Sequence, residues 1–275
     1  MPKPGTPTGK PIRPRKLVND LAAVGVLVLL LLAVYLLPPD TSLADIQKVG
    51  ALSVCVPTSY PPLVTGDPQT PGFDVELLQK VTQGMGVKLL LNVNQAMGHD
   101  FNPRNWRVTR TQCAVLAGGV VDSSLTRSFL DVSPPYLTTG WALVSKDPAQ
   151  KLEGSTVGFY PGLTGLDRIS LSRALRTSKV TVKLYPGADE LAAAIADGSI
   201  SGAITEALSA SQIAFSHGWS SRLLPPPLEQ YPVVLGLWRG DLTLKRKIVE
   251  VLNHLKSDGE LKALAEKYHI VAELQ

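Results

Sequence analysis

The chain has few residues of the kinds that usually bind metals or act as nucleophiles. It contains two cysteines and four histidines in 275 residues. The histidines do not share the spacing of a metal site, and neither a G-x-S-x-G element nor a Cys and His signature occurs. We therefore expect no metal, no cofactor and no catalytic residue. The four histidines are His99, His217, His254 and His269.

Net positive charge is also missing from most of the chain, although the calculated pI is about 9.0. Residues 1–20 hold five of the 27 basic residues and one of the 23 acidic ones, which leaves 22 of each sign in the remainder. A neutral remainder offers no broad surface for a phosphate backbone. We therefore expect no nucleic-acid partner.

One long stretch lacks charge altogether. Residues 21–37 read LAAVGVLVLLLLAVYLL and are followed by Pro38 and Pro39. A helix of this length reaches about 25 Å, close to the ~30 Å of a hydrocarbon core. The basic residues before it predict a cytoplasmic tail over 1–20, a transmembrane anchor or uncleaved signal over 21–39, and an extracytoplasmic remainder. The alternative is a secretory signal cleaved near Ser42-Leu43-Ala44, which would release the protein into the periplasm.

The two cysteines leave a choice open. Cys55 and Cys113 both lie in apolar runs that are typical of buried strands. On the outer side of a membrane they can form a disulfide if their strands are neighbours. Otherwise they are two buried thiols that behave as small apolar side chains.

After residue 41, short apolar runs alternate with patterns of helical period. Strands are predicted over 51–57, 87–93, 113–121, 155–160, 180–185, 200–205 and 231–238. Helices are predicted over 74–85, 165–176, 189–197, 206–216, 242–256 and 259–269. Such alternation favours an α/β fold with largely parallel sheets covered by helices.

Five motifs follow one another in a distinctive order. They are GALSV with Tyr60-Pro61-Pro62, then GFDVEL from Gly72, SLTR ending at Arg127 with DVSPPY from Asp131, GLT from Gly162, and KSDGEL from Lys256. Over residues 44–271 this order resembles bacterial solute-binding protein family 3, the amino-acid receptors of ABC importers. The resemblance implies a type II periplasmic-binding-protein fold, in which two crossing strands join two α/β lobes with mixed sheets. Lobe 1 would comprise residues 41–140 and 232–275, and lobe 2 residues 141–231.

The resemblance also assigns a ligand site in the cleft between the lobes. Arg127 matches the arginine that holds a ligand carboxylate, for which a planar guanidinium offers two parallel donors. Tyr60 would pack on the ligand, Thr164 would bind carboxylate oxygens, and Glu206 stands where the family commonly has an aspartate that pairs with the ammonium. Gly119, Asp122 and Ser124 complete the expected site. Without the motifs, each would have an ordinary structural role, such as a helix cap for Thr164; among the tryptophans, Trp106 is the candidate for a cleft role.

Three functions fit this pattern. The first is capture of a small amino acid or related carboxylate for an ABC permease or another membrane partner. The second is an enzyme resembling cyclohexadienyl dehydratase, for which Glu206 would be the general acid. The third is a ligand-sensing domain that signals through another membrane protein. The absence of a second catalytic group favours binding without chemistry.

Overall fold

The computed structural model of the protein describes residues 14–35, 39–97, 102–160 and 166–270, and in the first helix only the side chains of residues 22–32. The first part contains α1 (Pro14–Tyr35), α2 (Ser42–Val49), β1 (Ala51–Pro57), α3 (Phe73–Met85), β2 (Lys88–Asn94), β3 (Val115–Leu116), α4 (Ser124–Phe129) and β4 (Asp131–Val132). The middle part contains β5 (Leu137–Ser145), β6 (Thr156–Phe159), α5 (Arg168–Thr177), β7 (Thr181–Leu184), α6 (Ala188–Ala196), β8 (Gly202–Glu206), α7 (Ala207–His217), β9 (Ser220–Leu223) and β10 (Gln230–Val233). The chain then continues through β11 (Gly236–Leu237), α8 (Leu242–Ser257) and α9 (Glu260–Lys267).

The chain divides into two compact units, residues 1–40 and 41–275. In the first unit, α1 exposes its apolar side chains from Val24 to Leu32. Within the described residues, no helix combines the length and the apolarity that crossing a membrane requires. Residues 1–13 of the predicted cytoplasmic tail and residues 36–38 of the predicted anchor lie outside the part of the chain that the structure describes.

The second unit contains two sheets, and we call each sheet with its helices a lobe. Lobe 1 is built on a sheet of order β2-β1-β3-β11-β4. Strand β1 runs parallel to β2 and β3, whereas β11 is antiparallel to β3 and β4. Helices α3, α8 and α9 cover one face, and their apolar side chains share a core with Leu52, Val54 and Val56 of β1. This alternation of β1 residues toward the helices follows from the two-residue period of a strand.

Lobe 2 is built on a sheet of order β10-β5-β8-β6-β7, with β9 also paired to β5. Strand β6 is parallel to β7 and β8, and β5 is antiparallel to its neighbours. One face packs against α6 and α7 and the other against α5. Both sheets are therefore mixed and flanked by helices, which confirms the two-lobed fold expected from the motifs. The exact lobe boundaries stay predictions.

Two segments of chain cross between the lobes side by side. The first leads from β4 to β5, and the second leads from β10 to β11. Ser133 N donates to Leu235 O at 2.9 Å, Leu235 N donates to Ser133 Oγ at 2.9 Å, and Tyr136 N donates to Val233 O at 3.1 Å. The predicted single strand over 231–238 is wrong in this respect. It is divided between the two sheets because the chain changes lobes at Val234 and Leu235.

The cysteines form a disulfide, which resolves the choice that the sequence left open. Cys55 lies in β1 and Cys113 just before the neighbouring β3, with their Cα atoms 5.5 Å apart. The bridge closes a loop over a separation of 58 residues. In the chain-entropy view such a loop contributes about 4 kcal/mol to stability. The bridge lies on the lobe 1 face opposite α3, beside Trp106, which is 2% exposed there and packs as a core residue.

Two further element boundaries differ from the sequence prediction. The strand predicted over 113–121 is reduced to β3, because Gly118 and Gly119 turn the chain with φ values of +86° and +92°. The helix predicted from 165 begins at Arg168, because the carboxylate of Asp167 caps it by accepting from Ile169 N and Ser170 N. The cap of α5 is therefore Asp167 and not Thr164.

Candidate functional site

Glu206 lies where lobe 2 meets lobe 1. It ends β8 and caps α7, so its carboxylate accepts from Leu208 N at 3.0 Å and Ser209 N at 3.1 Å and also from Thr139 Oγ1 of β5. The side chain is fully buried. Burial raises the pKa of Glu206 against the opposite influence of these hydrogen bonds. Leu208, two residues after Glu206 in the first turn of α7, packs into the core of lobe 1.

Tyr60 faces Glu206 from lobe 1. Its ring is 5% exposed, and burial followed by the charge of Glu206 raises the pKa of Tyr60 well above 10. The two side chains influence each other, but the Tyr60 hydroxyl forms no well-formed hydrogen bond with any described residue. A buried hydroxyl that meets Glu206 only in poor geometry is suited to contact a polar group of a ligand at this interface between lobes.

Gly119 lies against the face of this ring. A Cβ atom at position 119 would be 2.5 Å from Cε1 of Tyr60, and φ is +92°. Only glycine combines this backbone conformation with this approach. The structure thus brings together three of the predicted site residues, Tyr60, Gly119 and Glu206.

Asp74 belongs to the same place and was not assigned a role from the sequence. It lies in the first turn of α3, is fully buried, and its Oδ2 accepts from Gly118 N at 2.6 Å and Tyr136 Oη at 2.9 Å. Burial raises the pKa of Asp74 to about 6. Its position inside GFDVEL, where an acidic residue stands among apolar ones, is the signal that could have identified it.

Arg127 and Asp122 form a second and different arrangement. Nε of Arg127 donates to Asp122 Oδ1 at 2.5 Å, and Nη2 donates to Oδ2 at 2.6 Å. The Arg127 side chain is 59% exposed and that of Asp122 is 18% exposed. The hydrogen bonds to Asp122 raise the pKa of Arg127. The predicted carboxylate clamp therefore holds a carboxylate of its own chain.

The helix that carries Arg127 explains its exposure. Ser123 caps α4 through a hydrogen bond from Thr126 N at 3.2 Å. Thr126 is fully buried, whereas Arg127 and Ser124 are exposed on the outer face of this short helix. Thr164 lies outside the described residues, so its predicted contact with the ligand stays a prediction.

Further contacts between α7 of lobe 2 and the residues after α9 show that the lobes meet at more than one residue pair. Nε2 of Gln212 donates to Tyr268 O at 2.9 Å, and the Phe215 ring stacks on His269. Together with Glu206 and Leu208, these residues place one face of α7 against lobe 1.

The family model for bacterial extracellular solute-binding proteins, family 3, matches residues 52–271. The chain belongs to this family. The match covers both lobes, the crossing segments, Tyr60, the Gly118-Gly119 turn, Arg127 and Glu206. A search of the curated proteins finds no match.

Solved structures with the same fold are distant in sequence. A polar amino acid ABC uptake transporter substrate-binding protein from Streptococcus thermophilus is 18% identical, with a TM-score of 0.70 over 86% of this chain and 92% of that chain. An ancestral cationic amino acid solute-binding protein is 18% identical, with a TM-score of 0.65 over 83% and 99%. An ancestral cyclohexadienyl dehydratase is 21% identical, with a TM-score of 0.57 over 82% and 95%. At these identities the likeness shows the shared family fold and leaves the ligand open.

Proposed function

We propose that this protein captures a small amino acid or related carboxylate between its lobes and passes it to an ABC permease or another membrane partner. The observation that carries this proposal is the meeting of Tyr60 and Glu206 across the two lobes of a solute-binding fold. Small ligands commonly bind at such junctions, where a few polar groups stand in an otherwise apolar cleft.

The buried acids favour a ligand that carries positive charge. Glu206 and Asp74 are both fully buried, and burial raises both pKa values. An ammonium or guanidinium group close to Glu206 would compensate the cost of burying the carboxylate. The hydroxyl of Tyr60, which lacks a well-formed hydrogen bond in the described residues, offers an additional polar contact beside it.

Arg127 is the proposed partner of the ligand carboxylate. Because Asp122 already occupies Nε and Nη2, a ligand carboxylate that binds along the same edge of the guanidinium would replace that of Asp122. Such an exchange keeps the number of charge-assisted hydrogen bonds constant, and the exposed side chain of Arg127 is accessible to an incoming anion.

The first test is a thermal-shift screen of the purified protein against amino acids, small organic acids and amines. A ligand at 100 times its dissociation constant adds about 2.7 kcal/mol to stability, which a melting curve resolves. We expect a melting shift with at least one amino acid and a smaller shift with the matching amino-acid amide, which keeps the ammonium but lacks the carboxylate. If no compound of the three classes changes the melting temperature, the proposed ligand class is wrong.

A second test addresses the two charged ends of the ligand. Arg127→Ala should weaken binding by about tenfold to about a hundredfold at most, since charge-assisted contacts contribute about 1.5 to 3 kcal/mol and the displacement of Asp122 offsets part of that gain. Arg127→Lys should recover only part of the loss. Asp122→Asn is the matched control, because it frees the guanidinium and should tighten binding. If Arg127→Ala binds the ligand found in the screen as tightly as wild type does, the proposed role of Arg127 in binding the ligand carboxylate is wrong.

The enzyme alternative rests on one observation, the raised pKa of the buried Glu206, which suits a general acid. Incubation with prephenate-like cyclic hydroxy acids and detection of the aromatic product tests it. Turnover that disappears in Glu206→Gln would support an enzyme, and its absence together with ligand binding supports a receptor. A sensing role would be separated from transport by the membrane protein that copurifies with it.

We also propose that residues 21–39 retain the protein at the outer face of the cytoplasmic membrane. The support comes from the neutral run 21–37 and the five basic residues that precede it. The protein should stay in the membrane fraction and be accessible to protease only from the outside. Recovery of a soluble form that starts near Asp45 would show instead that the leader is cleaved.

A further inference from the structure

Asp74 ties three segments of lobe 1 together beneath the proposed ligand site. It stands at the N-terminus of α3, whose backbone is held to the loop after β1 by Phe73 N donating to Pro62 O and Asp74 N donating to Leu63 O. The carboxylate then reaches the turn after β3 through Gly118 and the crossing segment through Tyr136. Asp74 thus contacts the loop after β1 through its backbone, and the turn and the crossing segment through its side chain.

The turn that Asp74 holds is the surface on which the Tyr60 ring rests. Gly118 and Gly119 both have φ values near +90°, a backbone conformation that residues with a Cβ atom rarely adopt. A Cβ atom at position 118 would be 2.3 Å from Cδ of Pro57, and one at position 119 would be 2.5 Å from the Tyr60 ring. A shift of the turn by a fraction of an ångström therefore moves the ring.

From this geometry we propose that Asp74 is a positioning residue of the ligand site, whose ionised carboxylate fixes the Gly118-Gly119 turn and through it the Tyr60 ring. The inference rests on the proposed solute-binding function, because Tyr60 is a ligand contact only in that function. Asp74 touches no ligand itself. It acts through the Gly118 amide and the Tyr136 hydroxyl.

The groups that face the Asp74 carboxylate are donors or anionic neighbours. The turn contributes the Gly118 and Gly119 amides, the crossing segment contributes Tyr136, and the loop after β1 contributes Tyr60, behind which Glu206 lies. Asp74 Oδ1 has no described hydrogen-bond partner and is the atom available to a proton. Protonation there would turn charge-assisted hydrogen bonds at Oδ2 into weaker neutral ones.

The test uses the full-length protein in detergent, labelled with [15N]glycine, and the variants Asp74→Asn and Asp241→Asn. Asp241 is the matched control because it is another buried acid of lobe 1, at the N-terminus of α8 and paired with Arg110. In wild type, the Gly118 amide proton should resonate far downfield and shift as pH passes through about 6. In Asp74→Asn it should move upfield and lose this titration, and in Asp241→Asn it should keep it. Unchanged Gly118 and Gly119 signals in Asp74→Asn would overturn the proposal.

The second arm measures binding of L-arginine, a cationic amino acid, at pH 7.5 and pH 5. Asp74→Asn should weaken binding by about tenfold or more and reduce its pH dependence to the part that Glu206 contributes, since a charge-assisted contact is lost, while Asp241→Asn should bind as wild type. Equal weakening in both variants would reduce Asp74 to a general stability role and overturn the proposal. If wild type does not bind L-arginine, the cationic ligand class fails, and the Gly118 signals alone decide whether Asp74 positions the turn.

Discussion

Two groups of acidic residues in this protein show opposite ways of placing a carboxylate. Asp122 lies near the surface and forms both of its short contacts with a guanidinium. Glu206 and Asp74 are fully buried and are held by backbone amides and hydroxyls alone. An exposed ion pair contributes little to stability, whereas a buried acid without a cation is costly. The buried acids are therefore the ones whose presence calls for a functional reason.

The largest expected effect comes from removing a buried acid. Glu206→Ala leaves Leu208 N, Ser209 N and the Thr139 hydroxyl without their acceptor and should cost about 3 to 5 kcal/mol of unfolding free energy. Glu206→Gln keeps an acceptor and should cost much less. Urea unfolding of both variants beside Asp122→Ala measures the contrast. A similar loss for Glu206→Ala and Asp122→Ala would break the comparison.

The folding stability should depend on pH in the direction that the raised pKa values of the buried acids set. The pKa of Asp74 is raised from 3.8 to about 6, and that of Glu206 is also raised. The folded state therefore binds these protons more tightly than the unfolded chain. The contribution of Asp74 to stability falls as pH rises from about 4 to about 6 and then levels off, and Glu206 adds a decrease of the same sign. For Asp74 this amounts to about 3 kcal/mol.

Melting temperatures at pH 5 and pH 7.5 check this. Wild type should be more stable at pH 5, and Asp74→Asn should lose much of the difference. Below about pH 4 the acids whose pKa values are lowered, such as Asp131 beside Lys245, oppose the trend. A wild type that loses stability steadily from pH 7.5 to pH 5 contradicts the assignment.

A smaller loss of stability is expected from substitutions of glycine that distinguish a clash with Tyr60 from backbone strain alone. Gly119→Ala adds strain at positive φ and a clash with the Tyr60 ring, and we expect a loss of about 2 to 3 kcal/mol. Gly50→Ala is the matched control, because Gly50 also has positive φ but an added Cβ would meet nothing within 4 Å. It should lose only about 1 kcal/mol. Equal losses in the two variants would mean that the Tyr60 ring moves away from the added Cβ atom without a cost in stability.

The smallest effect on stability should come from Arg127→Ala. Its exposed ion pair with Asp122 should contribute less than about 1 kcal/mol, and high salt should reduce that further. Unfolding at low and high ionic strength measures it. A loss of several kcal/mol would place Arg127 among the structural residues and would weaken its proposed role in binding.

The local patterns were sufficient for most of the fold. Apolar runs and helical periods located α3, α7, α8 and α9 to within a few residues, since burial of one face imposes those periods. They failed at 231–238, where one continuous apolar run serves two sheets. Periodicity reports that a strand is buried and not which sheet buries it.

The site divides in the same way. By itself the sequence determined the family and the two-lobed fold, because both follow from motifs of local order. It also predicted Tyr60, Gly119 and Glu206 as site residues, and the structure places these three close together. Only the tertiary structure decided that Cys55 and Cys113 are bonded, that Asp122 occupies Arg127, and that Asp74 holds the turn under Tyr60. Each of these contacts depends on how the chain returns to the same place in space. A hydrogen bond between residues 44 positions apart leaves no period in the sequence from which it could be predicted.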